Sequence, residues 1–257
     1  MPNAYPLDQS SFEVSITVKL SDDKSQKLEH KLTRPTLADL IERDAQSVTE
    51  LEEIAPGEDT FHTEVESANA KLWDKIAKQI RGYKTAGITK DAWAEVTPEL
   101  AAKIPASHKS TAISGLYASR CVVVKDDDEG FNLDGDTFTI RQELGAGEEP
   151  DYVILHALKQ PMESQRREYE KAAGKASQVF GSRKRKIRIR ANLKAEVALY
   201  DKLIERVDGA TVSGETWDNY MAESKEQLGG FVAAVDPVFK RQVIQTLLSS
   251  LSASLSD

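Results

Sequence analysis

The sequence predicts an α+β fold in which one unit, a β-hairpin followed by about four helices, occurs twice. The first observation behind this prediction is a match of the chain with itself at a separation of 126 residues. The second observation is that apolar and polar residues alternate before a proline that both halves share. The third is that apolar residues recur at helical spacing after this proline. A chain of 257 residues is long enough to bury two cores of ordinary size.

The match between the halves keeps one order from the strands to the last helix. Phe12 matches Phe138. The same order continues, with small changes in separation, through the pairs His30 and His156, Pro35 and Pro161, Trp73 and Tyr200, Asp74 and Asp201, Gly82 and Gly209, Trp93 and Trp217, and Lys109 and Lys240. The alternative is two unrelated stretches that share a helix-rich composition. The common order favours an internal duplication, and we expect a first repeat unit over residues 1–125, an acidic linker over 126–136 and a second repeat unit over 137–257.

Each repeat is expected to begin with two antiparallel strands. The alternation predicts these strands over residues 12–20 and 27–33 in the first half, and over 137–144 and 151–158 in the second. The polar residues Ser21-Asp22-Asp23 are typical of the turn between the first pair. Pro35 or Pro161 follows the hairpin, where a proline suits the first turn of a helix.

Four helices are expected to follow each hairpin. The first begins after the shared proline and should end before Pro56-Gly57. Apolar spacing predicts a second helix over residues 64–80, matched by 193–207, with Gly82 and Gly209 in the position of a C-terminal glycine. A third, short helix carries Trp93 or Trp217, and the last spans about residues 107–120 or 237–251. Residues 121–124 predict an additional strand that has no counterpart in the second half.

Composition excludes several classes of protein. No apolar run approaches the roughly 18 residues that cross a bilayer, so no membrane partner is expected. The single cysteine, Cys121, excludes an intramolecular disulfide framework and a cysteine-rich zinc site. The N-terminal segment lacks the basic and apolar regions of a secretory signal. We therefore expect a protein of a reducing cytoplasm.

The motifs of catalysis and cofactor binding do not occur in the sequence, which predicts no enzyme and no cofactor. Cys121 heads an apolar run and is expected to be a buried structural thiol. His30 and His156 could be twin metal ligands, but a role in packing the hairpins is favoured and no metal is expected. The acidic residues of 126–136 could hold calcium, although a solvated linker is the preferred interpretation. The three tryptophans are expected in the core.

A contrast in charge separates the two halves. Residues 1–130 carry 16 basic and 23 acidic side chains, a net charge of −7, whereas residues 131–257 carry 18 and 19, a net charge of −1. The contrast is concentrated before the second helix of each repeat. The acidic residues there are Glu50, Glu52, Glu53, Glu58 and Asp59, and the basic residues are Arg183, Lys184, Arg185, Lys186, Arg188, Arg190 and Lys194.

Three interpretations of the basic segment 183–194 remain open. It could bind nucleic acid through phosphate contacts, but the acidic chain and the lack of nearby aromatic residues disfavour this. It could be a solvated loop or strand. It could also bind an acidic protein surface, for which the matched acidic segment, in the same chain or in another copy, is a candidate partner.

The segment from Lys31 to Leu40, Lys-Leu-Thr-Arg-Pro-Thr-Leu-Ala-Asp-Leu, follows an alternating strand and an acidic turn. In this it resembles the tail assembly proteins of tailed bacteriophages, in which a short hairpin leads into an Arg-Pro-Thr step and an acidic helix. The second half keeps Pro161 but not the flanking arginine and threonine, and the proteins of that family are usually shorter. The resemblance implies a non-enzymatic factor of phage or prophage tail morphogenesis, whose partners are other tail or virion proteins or further copies of itself. It also implies a location in the cytoplasm of a bacterial host, or in the virion.

Overall fold

A computed structural model of the chain describes residues 4–21, 24–47, 50–53, 59–85, 88–124, 137–145, 149–182, 185–190, 192–218 and 228–253. The strands are β1 (Tyr5–Pro6), β2 (Ser11–Ser21), β3 (Lys24–Thr33), β4 (Glu50–Glu53), β5 (Ala77–Arg81), β6 (Ala94–Glu95), β7 (Ser119–Val123), β8 (Thr137–Leu144), β9 (Tyr152–Lys159), β10 (Ser177–Ser182), β11 (Arg185–Arg190), β12 (Ile204–Asp208), β13 (Ala210–Val212) and β14 (Glu215–Thr216). The helices are α1 (Leu37–Gln46), α2 (Asp59–Ile76), α3 (Pro98–Ala101), α4 (Ala106–Leu116), α5 (Glu163–Ala176), α6 (Leu193–Leu203), α7 (Leu228–Ala234) and α8 (Pro237–Ala253). Helices and antiparallel sheets together confirm the predicted α+β class.

The chain forms two compact units. The first contains Gln9–Tyr117 and Ser177–Ala191, and the second contains Met1–Asp8, Ala118–Ala176 and Asn192–Asp257. The predicted first repeat, residues 1–125, therefore differs from the first unit: both of its ends lie in the second unit, and a segment from the second half is added to it. The predicted linker, 126–136, lies outside the described residues.

The first unit is built on an antiparallel sheet in the order β2-β3-β5-β6. Apolar residues at alternate positions of β2 and β3 point into its core, which explains why Val14, Ile16, Leu28 and Leu32 are all buried. Helix α1 begins with a capping box, in which the Thr36 hydroxyl accepts the backbone N–H of Asp39 and the Asp39 carboxylate accepts the N–H of Thr36. A second, three-stranded antiparallel sheet of this unit has the order β10-β11-β4.

The second unit is built on an antiparallel sheet in the order β12-β9-β8-β7. Its core includes Ile140, Ile154, Leu199 and Val243, all buried. The additional strand predicted over residues 121–124 is present as β7, which pairs with β8. A small sheet in the order β1-β13-β14 completes the unit, with β1 parallel to β13.

The second helix of each half ends four residues before its predicted end. Helix α2 ends at Ile76 and α6 ends at Leu203, and each continues directly into a strand, β5 or β12. The prediction was wrong because a buried residue four positions after the last helical one, such as Ile80, suits either the next helical turn or the core face of a strand. Gly82 and Gly209 consequently follow strands, at φ angles of 95° and 77°. The predicted duplication of the whole unit remains a prediction.

Within the part of the chain that the structure describes, no helix is both long enough and apolar enough to cross a membrane.

Candidate protein-binding site

The acidic and basic segments that the sequence singled out lie side by side in the three-stranded sheet of the first unit. Strand β11 runs antiparallel to β4, and its backbone register pairs each charged residue of β4 with one of opposite sign. The opposed residues are Arg185 and Glu53, Lys186 and Glu52, and Arg188 and Glu50, with Ile187 opposite Leu51. Within one chain, the basic segment is therefore opposed in backbone register to the acidic segment.

The other predicted site residues are not part of this pairing. Arg190 lies in β11 opposite Ser177 of β10, and Lys194 is exposed in the first turn of α6. Asp59 is the first residue of α2. Arg183, Lys184 and Glu58 lie outside the described residues. The structure thus brings six of the twelve predicted residues together, three of each sign.

Two properties of this sheet are its strand register and its outer strands. Opposite charges at directly opposed positions of antiparallel strands contribute about 0.2–1 kcal/mol a pair. Three such pairs therefore favour this register of the two strands more than they add stability. Strands β4 and β10 are the outer strands of the described sheet, and outer strands present backbone groups that another strand can pair with.

A buried histidine occupies the middle of the hairpin in the first unit. The indole Nε1–H of Trp73 donates to His30 Nδ1 at 3.1 Å, and because indole is only a donor, the neutral ring of His30 carries its hydrogen on Nε2. Nε2 lies 3.3 Å from the Tyr83 hydroxyl, which lies 3.4 Å from His108 Nδ1. Burial, with a smaller contribution from His108, lowers the pKa of His30 to about 4.

The second unit has a similar network around His156, which is completely buried. The Gln142 amide nitrogen donates to Gln242 Oε1 at 2.9 Å, so its Oε1 accepts from His156 Nε2 at 3.1 Å. His156 Nδ1 then accepts from the Tyr200 hydroxyl at 2.8 Å. Burial lowers the pKa of His156 to about 3 and raises that of Tyr200 well above its ordinary value. Both histidines are thus neutral packing residues of their hairpins, the role that the sequence favoured.

A buried lysine in the last helix of each unit forms an ion pair with an aspartate of the second helix. Lys109 Nζ lies 2.6 Å from Asp74 Oδ1, and Lys240 Nζ lies 2.6 Å from Asp201 Oδ1. Each ammonium also lies over an aromatic ring, that of Trp73 at 5.1 Å or of Tyr200 at 5.4 Å. The sequence indicated the four charged residues as matched pairs but did not predict that they form ion pairs.

The tryptophans divide into two classes. Trp73 and Trp217 are buried, as expected, and the Trp217 ring packs edge-on against Phe231 at 5.2 Å. The expectation was wrong for Trp93, whose half-exposed ring is covered by Lys31 at 4.3 Å and Arg81 at 4.8 Å. An aromatic ring near the surface can be covered by the aliphatic parts of long cationic side chains and need not pack into a core.

Cys121 lies half-buried in β7, where burial raises the pKa of its thiol to about 11. The expectation of a buried thiol was therefore met only in part, although a thiol with a raised pKa is a poor nucleophile. Among the described residues, no three His, Cys, Asp or Glu side chains are arranged to hold a metal ion.

Comparison of the chain with family models, curated proteins and solved structures finds no match.

Proposed function

We propose that the protein is a non-enzymatic, protein-binding assembly or structural factor that joins its partners through the complementary strands β4 and β11. The observation that carries this proposal is the register of the two strands, in which three acidic residues oppose three basic ones. Partners are further copies of the chain or other proteins with a strand of matching charge. The tail of a phage or prophage is the setting that the resemblance of residues 31–40 implies.

The exchange of strands between the units supports the proposal. Residues 177–191 belong to the first unit, although the residues on both sides of them belong to the second. The β10–β11 hairpin pairs with β4, which belongs to a distant part of the chain. The same hairpin can pair with the β4 strand of another copy, because the contacts between two copies would be identical to those within one. In an assembly, the β10–β11 hairpin of one copy pairs with the β4 strand of the next.

The proposal includes an origin by internal duplication, which paired contacts within the two units support. The strand orders β2-β3-β5 and β8-β9-β12 correspond. The matched polar contacts are Trp73 with His30 and Tyr200 with His156, Lys109 with Asp74 and Lys240 with Asp201, and Lys75 with Glu42 and Lys202 with Glu168. A duplicated unit offers two related surfaces in one chain, which suits a protein that connects repeated partners.

The test is self-association measured by sedimentation velocity over a range of protein concentrations. Replacing Arg185, Lys186 and Arg188 by glutamine should reduce association and its dependence on salt. Salt weakens association of the unmodified chain because the screening length falls from about 10 Å at 0.1 M to about 3 Å at 1 M. The matched control replaces three exposed cations of α5, Arg167, Lys171 and Lys175, and should leave association unchanged.

The alternative function predicted from the sequence, nucleic-acid binding by the segment 183–194, gives a different result. The purified protein would then retain DNA or RNA, and its affinity for them would fall log-linearly with salt. Association that is equal in the β11 variant and the α5 variant would refute the proposal.

A further inference from the structure

Strand β1 binds the second unit in the way that an extended peptide binds the edge of a sheet. The backbone N–H of Tyr5 donates to the Gly209 carbonyl at 2.9 Å, and the N–H of Leu7 donates to the Thr211 carbonyl at 2.8 Å. The strand thereby adds to β13 in parallel, with Pro6 opposite Thr211. Because the bonded amides lie on either side of Pro6, the N–H that proline lacks would point to the outer edge, where a strand tolerates its absence.

Two alternate side chains of β1 enter the interior of the second unit. Leu7 is buried, with 1% of its surface exposed. The Tyr5 ring packs edge-on against Tyr152 and Phe239, with ring centroids 5.3 and 5.9 Å apart. Main-chain bonds together with pockets for alternate side chains are the features of a site that recognises an added strand.

The covalent continuation of β1 lies in the other unit. Residues up to Asp8 belong to the second unit, and the chain enters the first unit at Gln9. Hydrogen bonds and packing, not an adjacent covalent connection, therefore hold β1 in its site. The second unit thus contains a peptide-binding site that in this structure is filled by residues 4–8 of the same chain.

We propose that this site binds residues 4–8 of a second copy of the chain. The contacts between two copies are the same as those within one, because neither the strand nor the site changes. Strand and site are different surfaces, so the contact is head-to-tail and can continue from copy to copy. The inference rests on the proposed function in assembly, to which it adds a second contact that does not use β4 or β11.

The contacts of β1 differ in kind from the charge pairs of the other sheet. Its one acidic residue, Asp8, accepts hydrogen bonds from the N–H and the hydroxyl of Ser213 at 2.8 and 3.2 Å. The other contacts are main-chain bonds and apolar packing. Salt screens charges on separate strands, so it weakens the pairing of β4 with β11 but leaves the binding of β1 largely intact.

Disulfides between engineered cysteines test the site, in a Cys121→Ser background. Pro6 and Thr211 are Cα partners, so a chain that carries both P6C and T211C should form a disulfide under mild oxidation. Exchange between copies is tested with two chains, a donor that carries only P6C and an acceptor that carries only T211C.

The acceptor also carries Tyr5→Ala and Leu7→Ala, which weaken the binding of its own β1. The matched control acceptor has the same two alanines but carries K175C, at an exposed position of α5, in place of T211C. The donor and the T211C acceptor should give a linked product of the two chains, identified by mass spectrometry, in several-fold higher yield than the control.

Three further comparisons make the test specific. Leu7→Ala in the donor should lower the yield several-fold, because the buried leucine of the entering strand is lost. Raising the salt to about 1 M should leave the yield unchanged. An acceptor that keeps Tyr5 and Leu7 should give the same product more slowly, since its own strand occupies the site.

Equal yields with the two acceptors would overturn the proposal, as would a yield that Leu7→Ala in the donor does not change. A chain with both cysteines that remains reduced would overturn the site itself. Replacing Arg185, Lys186 and Arg188 by glutamine should leave the linked product in place. Failure of this contact is therefore distinguishable from failure of the proposed pairing of β4 with β11.

Discussion

Acidification should destabilise the protein through His30 and His156 before its carboxylates respond. Burial holds the pKa of these side chains at about 4 and about 3, whereas an unfolded histidine titrates near 6.5. Because both folded-state pKa values are lowered, the stabilisation is complete above pH about 7 and is lost as the pH falls from 6.5 toward the folded-state values. The unfolded chain binds these protons first.

The size of the effect follows from the two pKa differences. At pH 5 an unfolded histidine is almost fully protonated, while His30 is about one-tenth protonated and His156 less. Each histidine therefore lowers the free energy of unfolding by about 2 kcal/mol between pH 7.5 and pH 5, or about 4 kcal/mol together. Carboxylates with a lowered pKa, such as Glu29 at about 2, lose their contribution only at lower pH.

Urea unfolding at a series of pH values between 5 and 7.5 measures this effect directly. The variants His30→Gln and His156→Gln should each remove about half of the pH dependence. The variants are compared by the slope of their free energy of unfolding against pH. A substitution that lowers stability equally at every pH leaves this slope unchanged. A free energy of unfolding that stays constant over this range would refute the buried, neutral state of the two histidines.

Two further predictions concern residues that the repeats match. Trp217→Ala should lower the free energy of unfolding by about 3–5 kcal/mol because its ring is buried, whereas Trp93→Ala should cost about 1 kcal/mol, the worth of exposed cation–π contacts. Equal losses in urea unfolding would contradict the division of the tryptophans into two classes. Asp201→Ala should destabilise more than Lys240→Met, because only the first leaves a buried charge without its partner. If thermal unfolding showed a larger destabilisation for Lys240→Met than for Asp201→Ala, the buried ammonium of Lys240 would not need the Asp201 carboxylate for its stability.

The sequence predicted the fold where its periodicity had a single interpretation. The hairpin strands and the last helix were found within a few residues of their observed bounds, because alternation with period two and spacing with period 3.6 differ clearly over eight or more residues. Strands β5 and β12 were missed because each is short and continues the buried stripe of a helix. Their pairing with β3 and β9 is a long-range property that local spacing does not contain.

The candidate site was predicted only in part, because local sequence shows charge but not the pairing of distant strands. Opposite charge at matched positions indicated that the two segments could recognise each other, but register is a property of the folded sheet. The exchange of residues 177–191 into the first unit has no signal in local sequence. The ion pairs of Lys109 and Lys240 could have been found, since each lysine and its aspartate recur at matched positions of the two halves.

An exchange of charge between two variants tests the central claim most directly. One variant carries lysine in place of Glu50, Glu52 and Glu53, so that both of its strands are basic. The other carries glutamate in place of Arg185, Lys186 and Arg188, so that both are acidic. Neither can form the charge pairs within one chain, but each can form them with the other by reciprocal exchange of β10–β11 hairpins.

Native mass spectrometry of the two variants, alone and mixed, gives the answer. Complementary pairing of β4 with β11 predicts a complex of one chain of each variant, which forms only on mixing and dissociates at high salt. Two variants that remain folded and do not combine when mixed would contradict recognition between these strands.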